Sequence, residues 1–242
     1  MVETIVGAGR VGVALSEMGP AQLVRRGESI PEGTGPIYVC TRNDDLPGVL
    51  AATPAARRAD LVFVQNGMIT SWLQANRLHQ NTQALLYFAV SSVGATPVDG
   101  GRTVVWGPWA SALASRLERG GLSCTVLPSL DAFQAEMVEK FLWIGVFGLL
   151  CQAHNLTVGQ VVETHRDAVD ALTAELAGIC TRALGATPPA DLADRLCAYS
   201  MSIADYRGAV KEWPWRNGWL WSQEQTPLHA ALLKQAGVNL PT

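Results

Sequence analysis

A lone amine inside an apolar run is the first place where this sequence offers chemistry. Lys140 lies in EMVEKFLWIGVFGLLC, which is apolar almost without break from Phe141 to Cys151, in a chain with three lysines against fifteen arginines. Desolvating an ammonium is costly and lowers its pKa. A lysine treated in this way can hand over a proton near neutral pH. The alternative is a lysine at a helix edge whose ammonium snorkels to water.

A second constellation stands at the start of the chain. Gly7, Ala8, Gly9, Arg10, Val11 and Gly12 form a G-x-G-x-x-G loop directly after a short apolar run and before a helical segment. In such a loop the first glycine makes the tight turn, the second lets backbone approach a pyrophosphate, and the third allows helix to pack closely on strand. The helix N-terminus then favours the negative charge. A tight turn without a ligand is the plainer alternative. Arg25 and Arg26 follow the short run Gln22–Val24, where they are placed to meet the 2′-phosphate of NADP; Glu28 is the competing residue and would favour the ribose of NAD. An ordinary solvated basic pair is the third possibility.

The elements that must position these residues differ between the two halves. Strand-like runs fall at Glu3–Val6, Gln22–Val24, Pro36–Cys40, Leu61–Gln65, Ala84–Val90, Thr103–Trp106 and Cys124–Leu127. Helical patterns lie between them, to about Met18 and over Leu46–Ala52, Ser71–Asn76 and Trp109–Arg119. This alternation predicts a doubly wound, mostly parallel α/β sheet. Only about two dozen residues separate the glycine loop from Pro36–Cys40, against ~30 for a full βαβ unit, so one strand-and-helix repeat reads as trimmed. From Ser129 onward every pattern is helical. The expected helices are Leu130–Asn155 with Ser129 or Asp131 as cap, Val158–Ala183 ending at Gly185, Asp191–Arg207, and Pro227–Gln235. The expected domains are therefore an α/β unit over 1–128 and an all-helical unit over 129–242.

Composition narrows the classes. With 48% hydrophobic and 16% charged residues, the chain is core-forming rather than disordered. A net charge of −3 gives no argument for nucleic acid or an acidic membrane as partner. The run from Phe141 to Cys151 is too short for a bilayer span, and the N-terminus lacks a secretory pattern. Five scattered cysteines argue against both a disulfide framework and a zinc site. His79, His154, His165 and His229 show no metal spacing, and no metal is expected. The expectation is a cytoplasmic protein with a small-molecule ligand.

Taken together, these residues resemble the ketopantoate reductases (2-dehydropantoate 2-reductases), enzymes of pantothenate biosynthesis. Val62-Phe63-Val64-Gln65-Asn66-Gly67-Met68 looks like that family's strand ending in Asn-Gly-Met, and upstream of it Val39-Cys40-Thr41-Arg42 resembles the strand end where the family has a lysine close to the cofactor, with Arg42 in that place. Val138-Glu139-Lys140-Phe141 matches its lysine, Ser200-Met201 and Glu212 its serine and glutamate, and Thr226-Pro227-Leu228-His229 its closing segment. The resemblance implies a Rossmann-like NADP-binding domain followed by a helical substrate and dimerisation domain. It implies Lys140 and Glu212 as catalytic residues, and Asn66 and Ser200 as substrate-binding residues. It places Thr41, Arg42 and Asn66 near the cofactor, and it implies a homodimer reducing a 2-oxo acid or related small ketone with NADPH. One turn beyond Lys140, where the family has an asparagine, this chain has Ile144. That departure and the trimmed sheet motivate a second expectation, a non-catalytic dinucleotide-binding or assembly protein that retains the fold.

Overall fold

The structure is a computed structural model and describes residues 3–240. It divides into two compact units, Met1–Phe133 and Gln134–Thr242, so the division falls five residues beyond Pro128 and inside a helix.

The first unit is built on a seven-stranded sheet. In chain order its elements are β1 (Thr4–Val6), α1 (Arg10–Glu17), β2 (Gln22–Val24), β3 (Ile37–Val39), α2 (Leu46–Ala52), β4 (Leu61–Phe63), α3 (Thr70–Ala75) and β5 (Thr82–Leu85). Then follow β6 (Phe88–Ala89), β7 (Val98–Asp99), β8 (Val104–Trp106), α4 (Ala110–Arg119) and β9 (Thr125–Val126). The sheet order is β2-β1-β3-β4-β5-β8-β9, parallel throughout except where β5 meets β8. β6 and β7 form a separate antiparallel pair. The run expected as one strand over Ala84–Val90 is thus two, because the chain leaves the main sheet after Leu85. Ile5, Ile37, Tyr38, Val39, Leu61 and Val62 are wholly buried, as strands covered on both faces require.

Strand β2 is the edge. A full doubly wound sheet carries a further strand outside this position; here the chain passes from β2 directly to β3 through residues 25–36, with no helix. The trimming read from the sequence is this missing repeat.

Arg116 of α4 holds the unit together from inside. It is fully buried, and its guanidinium donates to Glu3 Oε2 at 2.6 Å, to Leu15 O at 2.7 Å, to Gly19 O at 3.1 Å and to Pro20 O at 2.7 Å. One of these carbonyls, Leu15 O, is in the last turn of α1, where it also accepts the Met18 N–H, and the other two belong to the turn that follows the helix. Tyr38 completes the cluster by donating its hydroxyl to Glu3 at 3.0 Å beneath the Arg116 guanidinium. Burial, then the Glu3 carboxylate, push the Tyr38 hydroxyl far above its ordinary pKa, so it remains a donor.

The second unit contains, among the described residues, helices and no strand: α5 (Leu130–His154), α6 (Val158–Thr164), α7 (Arg166–Leu184), α8 (Leu192–Ser202), α9 (Asn217–Gln223) and α10 (Pro227–Gln235). Ser129 caps α5, its hydroxyl accepting the Ala132 N–H at 3.1 Å. From Phe141 to Cys151 α5 is apolar all round, and such a stretch is stable only when enclosed; Phe141, Leu142, Val146, Phe147, Leu149, Leu150 and Cys151 are all buried. No single helix among the described residues is long and apolar enough to cross a membrane. The helix expected over Val158–Ala183 is broken at His165, which leaves helical geometry at φ −134°, and α6 is started by a capping box between Thr157 and Gln160. α8 stops at Ser202, short of Arg207, and α9 was not expected at all.

Replacing Arg116 with methionine removes four hydrogen bonds and leaves Glu3 with Tyr38 and the longer 4.0 Å contact to Arg119. Urea unfolding should show a loss of roughly 3–5 kcal/mol, whereas a change below about 1 kcal/mol would show that the cluster is not what fixes α1.

Candidate functional site

The glycine loop behaves position by position as a dinucleotide turn requires. Gly7 adopts φ +106°, and a Cβ there would stand 2.7 Å from the Cys40 carbonyl oxygen. A Cβ on Gly12 would lie 1.8 Å from the Gly7 carbonyl oxygen, so α1 touches the end of β1 backbone to backbone. A Cβ on Gly9 would meet nothing within 4 Å. Gly9 is therefore not demanded by packing within the protein, and the space before it is open. Gly9 is also the N-cap of α1, and no side chain caps that helix. The first-turn N–H groups thus face outward as donors, as at an anion site.

These features border a pocket of about 480 Å³ beyond the carboxyl ends of β1, β2 and β3. In open α/β sheets this is where ligands bind. Among the cofactor-binding residues expected from sequence, Gly7, Ala8, Gly9, Arg25, Arg26, Thr41 and Arg42 line it. Arg10, Val11, Gly12 and Asn66 do not. Arg10 donates to Val90 O at 3.3 Å, Val11 packs on the core of the sheet, and Gly12 is buried on the face of α1 that meets the Gly7 carbonyl. Glu28, Ile30, Asp45, Gly48 and Val49 also line the pocket; all but Glu28 escaped the sequence reading, because nothing in residue type marks the start of α2 as a wall.

The charges at the rim are arranged specifically. The Glu28 carboxylate accepts the backbone N–H of Arg25 at 2.6 Å. The Arg26 guanidinium is 86% exposed and bridges to Asp45 at 3.2 Å. Arg26 is thus a solvated side chain that a phosphate can recruit from a weak surface pair. Burial pushes the Cys40 thiol up to about 12, so it is an inert wall of the pocket and not a nucleophile.

Deeper in the same unit the ends of β3 and β4 are cross-tied. Gln65 donates to Val39 O at 2.8 Å and Thr41 O at 3.3 Å, and Asn43 donates to Asn66 O at 2.8 Å. Three buried oxygens here, Thr41 Oγ1, Gln65 Oε1 and Asn66 Oδ1, have no hydrogen-bond partner in the protein. A native fold rarely strands such atoms unless water or a ligand meets them. Open space at Gly9, uncapped helix donors and these oxygens fit the phosphates and polar groups of a nicotinamide dinucleotide.

The other expected residues belong to the second unit. Lys140 is 5% exposed, unlike a solvated ammonium. Its neighbour Glu139 is equally buried and is held by Arg195 at 2.6 Å. Ser200 is fully buried: it accepts the Trp143 indole N–H at 2.9 Å and donates to Leu196 O at 2.9 Å. In this structure the Ser200 hydroxyl is hydrogen-bonded to Trp143, one turn from Lys140. Glu212 stands in left-handed backbone at φ +46° and is bound by Arg216. A non-glycine residue in that region stores strain of about 1–3 kcal/mol. The tryptophan-rich stretch that follows forms a 3-10 turn, Trp213–Trp215, and α9. Its seating on α5 uses Asn217, which donates to Gly145 O and accepts from His229 Nε2 at 3.0 Å. Burial lowers the His229 pKa to about 4, so it is a neutral structural donor. No group of three or more metal-ligating side chains occurs among the described residues.

Comparison with known proteins follows the same lines. The chain is similar to a PanE/ApbA family ketopantoate reductase from Ralstonia eutropha JMP134, at 16% identity and TM-score 0.69, covering 98% of this chain and 99% of that one. It is similar to a dimeric ketopantoate reductase from Staphylococcus aureus at 12% identity and TM-score 0.70, covering 98% of each chain. It is also similar to D-mandelate dehydrogenase, solved with NADH and anilino(oxo)acetate, at 12% identity and TM-score 0.68, covering 98% of this chain and 97% of that one. No protein-family model matches the chain, and no curated protein does. At these identities the likeness is one of fold: a Rossmann-like α/β unit followed in sequence by an all-helical unit, the architecture of the ketopantoate reductases.

Gly9→Ala separates ligand from packing. The added methyl meets no protein atom, so stability should fall by no more than about 1 kcal/mol, the scale of an N-cap change. Titration calorimetry should show that dinucleotide binding is lost. Unchanged affinity would show that the open space at Gly9 is not where phosphate lies.

Proposed function

We propose that the protein is an NADPH-dependent reductase of a 2-oxo acid or related small ketone. The observation that carries this is the 480 Å³ pocket at the glycine loop, where the space before Gly9 is open and the α1 N-terminus is uncapped. Arg25 and Arg26 at the pocket support NADP(H). Glu28 is the residue through which NAD(H) would compete, and D-mandelate dehydrogenase, which shares the fold, was solved with NADH. The description of the S. aureus reductase as dimeric supports a homodimer. Five free cysteines accord with action in the reducing cytoplasm.

When bound, the cofactor supplies the hydride. The chain must supply position and a proton. The Gly7–Gly12 turn holds phosphate on backbone N–H groups, and Arg26 screens charge at the adenosine end. As a carbonyl is reduced its oxygen becomes negative; an ammonium stabilises that charge and donates the proton, which is the role of Lys140. Burial excludes water from around Lys140 and strengthens its electrostatic effect. Glu212, held by Arg216 in strained backbone, is an acceptor for a substrate hydroxyl. Ile144, four residues beyond Lys140 on the same face, favours a substrate with an apolar substituent there.

A second reading, a dinucleotide-binding protein without turnover, is favoured by one observation. The Ser200 hydroxyl is already engaged inside the protein, donating to Leu196 O and accepting from Trp143. The two readings part in an absorbance assay of NADPH oxidation over a panel of 2-oxo acids. Turnover is expected, and Lys140→Met should lower kcat by roughly 10²–10⁴. NADPH binding without turnover on any substrate would select the second reading. Turnover unchanged in Lys140→Met would remove Lys140 from the mechanism.

A further inference from the structure

The pocket has a wall with no regular structure. Residues 25–36, which replace the missing strand and helix, contribute Arg25, Arg26, Gly27, Glu28 and Ile30 to its lining. Left to itself such a segment would not hold a shape. Gly27, Gly33 and Gly35 all lie at positive φ, +87°, +120° and +130°, and glycines lose the most conformational freedom on ordering. A turn bond joins Glu28 N–H to Arg25 O, and Ile30 is the segment's buried apolar anchor.

Arg57 supplies what the segment lacks. It stands in the 3-10 turn Ala55–Asp60 before β4 and is 2% exposed. Its Nη1 donates to Pro31 O at 2.7 Å and its Nη2 to Gly35 O at 2.6 Å, while Nε is paired with Asp60 at 3.1 Å. One planar fork thus grips the segment at two carbonyls four residues apart, on either side of Gly33. A lysine, a point charge on a flexible stem, cannot reproduce that two-pronged geometry.

We propose that Arg57 is a positioning residue for the adenosine end of the dinucleotide: it replaces the trimmed strand and helix as the support that holds residues 27–35 in binding shape. The proposal rests on the dinucleotide reading of the pocket. Arg57 is not in the pocket lining, so it acts through the segment. Its contribution is preorganisation, and its loss makes the ligand bear the ordering of three glycines.

The test is titration calorimetry of ADP-ribose and NADPH into wild type, Arg57→Lys and Asp60→Ala, with thermal unfolding of each. Asp60→Ala removes the Nε partner but keeps both carbonyl bonds, so it should lower Tm while leaving both affinities within about two-fold. Arg57→Lys should weaken both ligands by about ten-fold or more. Equal affinity in wild type and Arg57→Lys would overturn the proposal, as would losses in the two variants that simply follow Tm. No binding by the wild type would overturn the dinucleotide reading itself and this assignment with it. A readout on the unmutated protein stands whether or not Arg57→Lys folds. Backbone order parameters at Gly33 and Gly35 should be near the rigid value of about 0.85 without ligand, and values below about 0.6 would contradict the proposal.

Discussion

The contact between Gly12 and the carbonyl of Gly7 sets how closely α1 can lie on β1, and the geometry of the pocket descends from it. With 1.8 Å between that oxygen and any Cβ on Gly12, no side chain fits between helix and strand. Closeness at one end of α1 is matched by Arg116 at the other, where three carbonyls and Glu3 are gathered on one buried guanidinium. The helix is therefore fixed at both ends by interactions that leave its first-turn N–H groups unspent. A helix end left uncapped beside open space is a standing preference for an anion. The architecture uses two buried arginines in similar ways: Arg116 closes the C-terminal end of α1, and Arg57 closes the segment that stands in for a missing repeat. Both bind backbone carbonyls that lie mostly outside the regular elements, which is how a short chain keeps a Rossmann-like pocket without the whole sheet.

The helical unit obeys a different constraint. The apolar stretch of a 25-residue helix must be enclosed, and the enclosing chain has to come very near. Glycine makes this possible at Gly148, where a Cβ would be 3.0 Å from Ala209 O, and at Gly208, where it would be 2.9 Å from Phe147 O. The segment carrying Glu212 follows directly from this close passage, and Asn217 and His229 then tie the tryptophan-rich stretch to α5. Lys140 sits in that frame as a buried charge beside Glu139, which is itself buried and is paired with the exposed Arg195.

Local signals carried well from sequence to structure. The glycine loop, the three-residue strand Gln22–Val24, the trimmed repeat, the long apolar helix and the Thr-Pro start of α10 were all legible, because turn chemistry and periodicity over one element fix them. What escaped was set by contacts between distant residues. The break at His165 carries no glycine or proline to announce it. α9 was hidden by Pro214 and Gly218, which read as a loop. Arg57 and Arg116 look like surface residues by type, and only the fold shows that backbone carbonyls surround them. Ser200 was legible as a position by resemblance, but its hydroxyl is hydrogen-bonded to Trp143 and Leu196, a pairing that no spacing announces.

The central claim is that a nicotinamide dinucleotide lies with its phosphates on the Gly7–Gly12 turn and its adenosine end against residues 25–30. Backbone amide chemical shifts followed during titration of the intact protein with NADPH test it most directly. The account predicts saturable shifts at Gly7, Gly9 and the first turn of α1, at Glu28 and Ile30, and at Thr41 and Arg42. Saturable shifts confined to residues outside these three segments, or none at all, would contradict it.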